Sequence, residues 1–205
     1  YTNRGSIVTP LKDRIGSQIF THYPKSIELA REITEQEARI SDTDKANISV
    51  PDVAKGLLEQ VSFEARNSEY VDIKSGVSAR MSISGMETLI AAAKLRLIET
   101  DASKTSVRLL DFSSIVPSIT GKIELVYEGE QEGAGEVARL LINNAILTEF
   151  EKRFPKIPKL EKEGIKTEYS DIIAWFDSNY LELNYTDSDV EFSKSLFSIK
   201  PLVSL

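Results

Sequence analysis

The chain has 205 residues, 41% hydrophobic, 28% charged and 8% aromatic, the ordinary composition of a soluble globular protein with material for a core of one or two domains. Acidic residues outnumber basic ones 32 to 25, a formal charge of -7, which argues against a surface built to neutralise nucleic-acid phosphates or anionic lipid. The absence of cysteine and the single His22 exclude disulfides, thiolate nucleophiles, sulfur-ligated zinc and multi-histidine metal sites, and confine Ser-His-Asp chemistry to one position.

No window approaches the roughly 18 to 20 apolar residues of a membrane helix, and the N-terminus has no basic-then-apolar signal pattern, so a cytoplasmic location is expected. In chain order, residues 18–24 read as a short strand halted by Pro24. Ser26 suits the N-cap of a helix over 25–39, and Ser49 with Pro51 opens another, with Val53, Leu57, Leu58, Val61 and Ala65 as its stripe. The most regular helix runs from Ser78, its expected N-cap, to about Glu99, with Ile83, Met86, Leu89, Ile90, Ala93, Leu97 and Ile98 on one face.

Beyond a polar turn at 100–105, residues 112–116 predict a short helix stopped near Pro117. Residues 122–127 alternate as a strand should, and Gly129 and Gly133 mark a loop. A second long helix is expected over 135–154, ended by Pro155 and Pro158. In the tail, Tyr169, Ile172, Ile173 and Phe176 predict a helix, 180–185 a strand and 187–197 a final helix. The fold class is mainly α with minor β (α+β), divided as 1–24, 25–105, 106–155 and 156–205, the last a small mixed module packed on the preceding helix.

The P-loop pattern is absent, because Gly121-Lys122 is followed by isoleucine and lacks the upstream glycine. Paired carboxylates such as Glu35 and Glu37 read as solvated helix faces. Two arginines stand out. Arg80 falls in the first turn of the long helix, where a cation opposes the dipole but can bind an anion together with free backbone N–H groups. The alternative is an ion pair with a carboxylate such as Asp72. Arg14 lies in a loop bounded by Pro10 and Gly16, where the plain alternative is a surface arginine beside Asp13.

The runs Tyr1-Thr2-Asn3-Arg4-Gly5, Thr9-Pro10-Leu11-Lys12-Asp13-Arg14-Ile15-Gly16, Thr21-His22-Tyr23-Pro24 and Gly76-Val77-Ser78-Ala79-Arg80-Met81 together resemble the rear half of an AAA+ ATPase of the MoxR and magnesium-chelatase I-subunit branch. Leu11, Asp13, Arg14 and Gly16 match a Leu-x-Asp-Arg-Phe-Gly-like segment, with Ile15 in place of phenylalanine. Gly76, Ser78 and Arg80 match a Gly-x-Ser-x-Arg lid signature, with Ala79 in place of a frequent proline.

The resemblance covers about 1–99 and implies the end of an ATPase core at 1–24, a helical lid from residue 25, and a C-terminal extension. It implies Walker A and Walker B segments upstream of Tyr1, so that these residues alone do not hydrolyse ATP. It further implies ATP and Mg²⁺ as cofactors of the full-length protein, Arg80 with Ser78 as nucleotide-binding residues in cis, and Arg14 as a catalytic arginine finger in trans. A homo-oligomeric ring, by the resemblance a hexamer, would remodel a partner protein or co-chaperone. Neither nucleic acid nor membrane is an expected partner, and no protein metal site is expected. The rival expectation is a non-catalytic helical interaction module that docks through Phe192, Leu196, Phe197, Ile199, Leu202, Val203 and Leu205, residues that alternatively fold back on the chain's own core.

Overall fold

A computed structural model describes residues 13–17, 19, 21–72, 76–155 and 167–204. It is mainly helical, with a single two-stranded parallel sheet among the described residues. Helix α1 (Ile27–Glu37) begins as expected at Ser26, whose hydroxyl accepts from the Leu29 N–H at 3.3 Å, and it buries Ala30 and Thr34. Helix α2 (Asp42–Asn47) leads into β1 (Ile48–Ser49), so Ser49 is a strand residue, and Pro51 takes the N-cap position of α3 (Asp52–Asn67). Val53 faces solvent, and Ala54 joins Leu57, Leu58, Val61 and Ala65 on the buried face.

Helix α4 (Arg80–Thr100) buries Met81, Met86, Leu89, Ile90 and Ala93. It starts later than expected: Ala79 holds the N-cap position, and the Ser78 hydroxyl accepts from the Arg80 N–H at 3.3 Å. The last turn runs past the core, leaving Ile98 exposed, and ends at Asp101 in the left-handed region at φ 50. Where α3 meets α4, a Cβ on Gly85 would sit 2.7 Å from Leu58 Cδ1, so glycine sets the closeness of that crossing.

Strand β2 (Thr105–Ser106) pairs parallel with β1, Ile48 opposite Thr105 and Ser49 opposite Ser106. A 3₁₀ helix (Leu109–Ile115) then continues into α5 (Val116–Thr120). Pro117 therefore lies in a helix's first turn, where its missing N–H costs nothing, instead of stopping one. The strand expected at 122–127 is reduced to two isolated antiparallel bridges, Val77 with Ile123 and Val71 with Leu125. The alternation was read correctly to that extent, but no third strand lies beside it to extend a ladder among the described residues. The expected loop at Gly129 is instead α6 (Tyr127–Glu132), ended by Gly133 at φ 90. Helix α7 (Ala134–Arg153) matches the expected second long helix and packs chiefly on α3.

One cluster of buried side chains runs from Ala38 to Ala145 and joins α3, α4, the 3₁₀ turn, α5 and α7. A buried ion pair is set into it. Arg96 Nη1 donates to Asp111 Oδ1 at 2.7 Å and Nη2 to Oδ2 at 3.2 Å, and Nη2 also reaches the Ser106 carbonyl at 2.7 Å. Both side chains are nearly inaccessible, at 3% and 2%.

In the tail, α8 (Ser170–Ser178), α9 (Asp189–Phe197) and a 3₁₀ turn (Lys200–Ser204) pack together, and Ile199 is buried there. Ser188 opens α9 with a reciprocal capping box to Glu191. The strand expected at 180–185 is not formed: these residues lie outside any helix or strand. Of the strand expected at 18–24, positions 18 and 20 lie outside the described residues, and 19 and 21–24 are not in a sheet. The polar stretch 156–166 also lies outside them.

Candidate functional site

The segment ending in Pro24 is fastened to the start of α4 by one side chain. The Tyr23 hydroxyl donates to the Val77 carbonyl at 2.8 Å and accepts from the Val77 N–H at 3.0 Å. Gly76, at φ 73, makes this approach possible: a Cβ there would lie 2.4 Å from the Tyr23 oxygen. The Arg66 guanidinium lies over the Tyr23 ring at 4.2 Å and over Phe63 at 4.9 Å. Its Nε is buried with no hydrogen-bond partner, and burial pulls its pKa below the usual arginine value against the charges of Tyr23 and Glu59.

Ser78 and Arg80 share the turn that follows. The Ser78 N–H donates to the Lys122 carbonyl at 2.9 Å, and the Ser78 carbonyl accepts from the Met81 N–H at 2.9 Å, so the serine backbone is held on both sides. Arg80 is exposed, the first turn of α4 carries no acidic residue, and the N-cap residue Ala79 offers no side-chain acceptor, the Ser78 hydroxyl taking the Arg80 N–H instead. The alternative ion pair with Asp72 is not formed, and Arg80 has no ion-pair partner among the described residues. The positive helix end and the guanidinium therefore act in the same direction.

Directly behind this turn lies a group that sequence reading missed. Glu59 is 2% exposed, yet its carboxyl accepts only from hydroxyls, Thr34 at 2.6 Å and Ser82 at 2.8 Å. Burial raises its pKa above the ordinary carboxylate value, opposed by those two hydrogen bonds and by the more distant Arg66 and Arg31. The available signal was a Glu-Gln pair interrupting the apolar run of α3 between Leu58 and Val61. Tyr23 and Arg66 carried no such signal.

Arg14 sits exposed in a turn at 13–14, beside the half-exposed Ile15. The preceding part of its motif, Thr9 to Lys12, lies outside the described residues. The structure places Ser78 and Arg80 on one turn, which Tyr23 fastens to the stretch 21–24, while Arg14 lies on a separate loop. Among the described residues no group of three His, Asp or Glu side chains is placed to hold a metal ion. None of their helices is long and apolar enough to cross a membrane. The C-terminal apolar residues divide: Ile199 is buried and Phe192 stacks on Arg108 at 4.2 Å, whereas Phe197 and Val203 stay exposed.

Comparison with known proteins adds nothing to these observations: no family model, no curated protein and no solved structure matches the chain.

Proposed function

We propose that these residues are the lid-side part of an AAA+ ATPase that works as a ring, in which Arg80 binds nucleotide phosphates in cis and Arg14 acts in trans. The observation that carries this reading is the state of Arg80. A cation at a helix N-terminus, exposed, unpaired among the described residues and without an acid in its turn, is a poor arrangement for stability and a good one for a polyphosphate. The bound nucleotide supplies the phosphoanhydride that is cleaved. The chain's own contribution is positional: Arg80 fixes phosphate oxygens, Ser78 holds the turn, and α4 carries any movement of the arginine into the helical core.

Arg14, on an exposed loop, is free to reach a neighbouring subunit and offset charge that develops in the transition state. P-loop and Mg²⁺-binding residues belong, on this reading, to a segment outside these 205 residues. A head-to-tail contact that closes by rotation generates the ring, and a partner protein is the object of the work. Replacing Arg80 with alanine in the full-length ATPase tests the reading: turnover should fall strongly, and wild-type turnover overturns it.

A second reading has its own support. Phe197, Val203 and Tyr180 stay exposed on the tail, as the docking residues of a non-catalytic interaction module would. The two are separated by nucleotide dependence, because a module of that kind is indifferent to Arg80→Ala.

A further inference from the structure

Beside β1 the surface sinks into two adjoining hollows that share Lys45 and Ser49. The first, about 400 Å³, has an apolar lining that includes the buried Ile48, Met86 and Ile90. The second, about 330 Å³, has the polar side chains of Asn47, Lys104, Thr105, Ser106 and Asp189 around it. Both acids on the combined lining are already engaged. Glu35 pairs with Lys55 at 2.8 Å, and Asp189 pairs with Arg108. Lys45 and Lys104 are exposed and have no ion-pair partner among the described residues, so a chain of formal charge -7 presents a local positive excess here.

Asp189 shows what the second hollow does with a carboxylate. Its Oδ1 accepts from the Thr105 hydroxyl at 3.0 Å and from Arg108 Nη2. The Arg108 side chain is 6% exposed, is stacked on Phe192 and keeps a buried Nη1 with no partner, so a single carboxylate does not exhaust its donors.

We infer that this two-lobed groove binds an acidic segment of a partner protein: a carboxylate seats between Lys45 and Lys104, and a neighbouring aliphatic side chain enters the hollow of Ile48, Met86 and Ile90. A carboxylate is favoured over a phosphate because the Asp189 carboxylate is already held on the same lining, by Thr105 and Arg108, and the aliphatic side chains of the adjoining hollow suit a peptide with aliphatic residues next to acidic ones. None of these residues belongs to the Arg80 site, so the inference is independent of the ATPase reading.

The test is an array of dodecapeptides permuting Leu, Ile, Asp and Glu, with Asn and Gln counterparts, probed with the 205-residue chain. The strongest binder is then titrated by fluorescence anisotropy. Binding should require both carboxylates and aliphatic side chains, weaken with salt, and fall at least about tenfold in K45A/K104A. Both lysines are exposed, so an unchanged melting temperature in the double variant checks the fold. Failure of every peptide to bind, equal binding to the amide counterparts, or equal binding by K45A/K104A overturns the inference. Stronger competition by inorganic phosphate than by free acidic peptide also overturns it and makes the hollow a phosphate site.

Discussion

The hydroxyl of Tyr23 occupies both polar groups of Val77, donating to its carbonyl at 2.8 Å and accepting from its N–H at 3.0 Å. Val77 is otherwise buried, so Tyr23→Phe leaves both groups without that partner and should cost about 1 to 3 kcal/mol in urea unfolding. Gly76→Ala should also destabilise, by left-handed strain and by a Cβ placed 2.4 Å from the same oxygen. Because Phe removes that oxygen, Gly76→Ala should cost less in the Tyr23→Phe background than in the wild type. Strict additivity in this double-mutant cycle contradicts the contact.

Glu59 gives a pH dependence with a definite sign. Its folded pKa is raised above the ordinary value of 4.5, so in the window above 4.5 the folded state holds more protons than the unfolded state, and this group's contribution is lost as pH rises through the folded pKa. Glu59→Gln removes that loss. The stability of the variant relative to wild type should therefore improve as pH rises from 4.5 through the raised folded pKa, as read from denaturation at several pH values. A difference that stays flat or moves the other way means that the carboxyl is ionised at no cost in the folded chain.

Asp111→Ala leaves Arg96 buried at 3% exposure without its carboxylate, and should cost about 3 to 5 kcal/mol. The double change Arg96→Met with Asp111→Leu should be markedly milder, because it removes both charges and keeps apolar volume. Chemical denaturation of the three proteins compares them. A double variant worse than Asp111→Ala means that the pair itself, and not the orphaned charge, supports the contact between α4 and the 3₁₀ turn.

How much of this was legible in the sequence depended on length and periodicity. Helices α1, α3, α4, α7, α8 and α9 announce themselves by apolar spacing, and α1 also by its cap Ser26. The sheet does not, since two residues per strand carry no period, and Ile48 with Ser49 pairs with Thr105 and Ser106 from far along the chain. Pro117 does not mark a helix end because proline ends one helix and begins another by the same chemistry. At the site, Arg80 and Ser78 were visible as a motif, whereas Tyr23, Arg66 and Glu59 act through contacts across three segments that spacing alone does not encode.

Arg80→Ala should leave stability within about 0.5 kcal/mol, since the side chain is exposed and has no ion-pair partner among the described residues. On the proposed AAA+ reading, the same change in the ATPase should sharply lower nucleotide affinity or turnover. Loss of both stability and turnover would assign Arg80 to the fold and not to the ligand.

On the proposed AAA+ reading, trans action by Arg14 is decided by a mixing experiment with the full-length ATPase that the reading implies. Subunits carrying Arg14→Ala and subunits with an inactivated P-loop should each hydrolyse ATP poorly, the former by roughly 10³-fold if the arginine behaves as fingers of this kind do. Mixed in equal amounts, they should recover turnover, because some interfaces then join an intact arginine to an intact P-loop. Wild-type turnover in Arg14→Ala subunits alone, or no recovery on mixing, contradicts the ring mechanism.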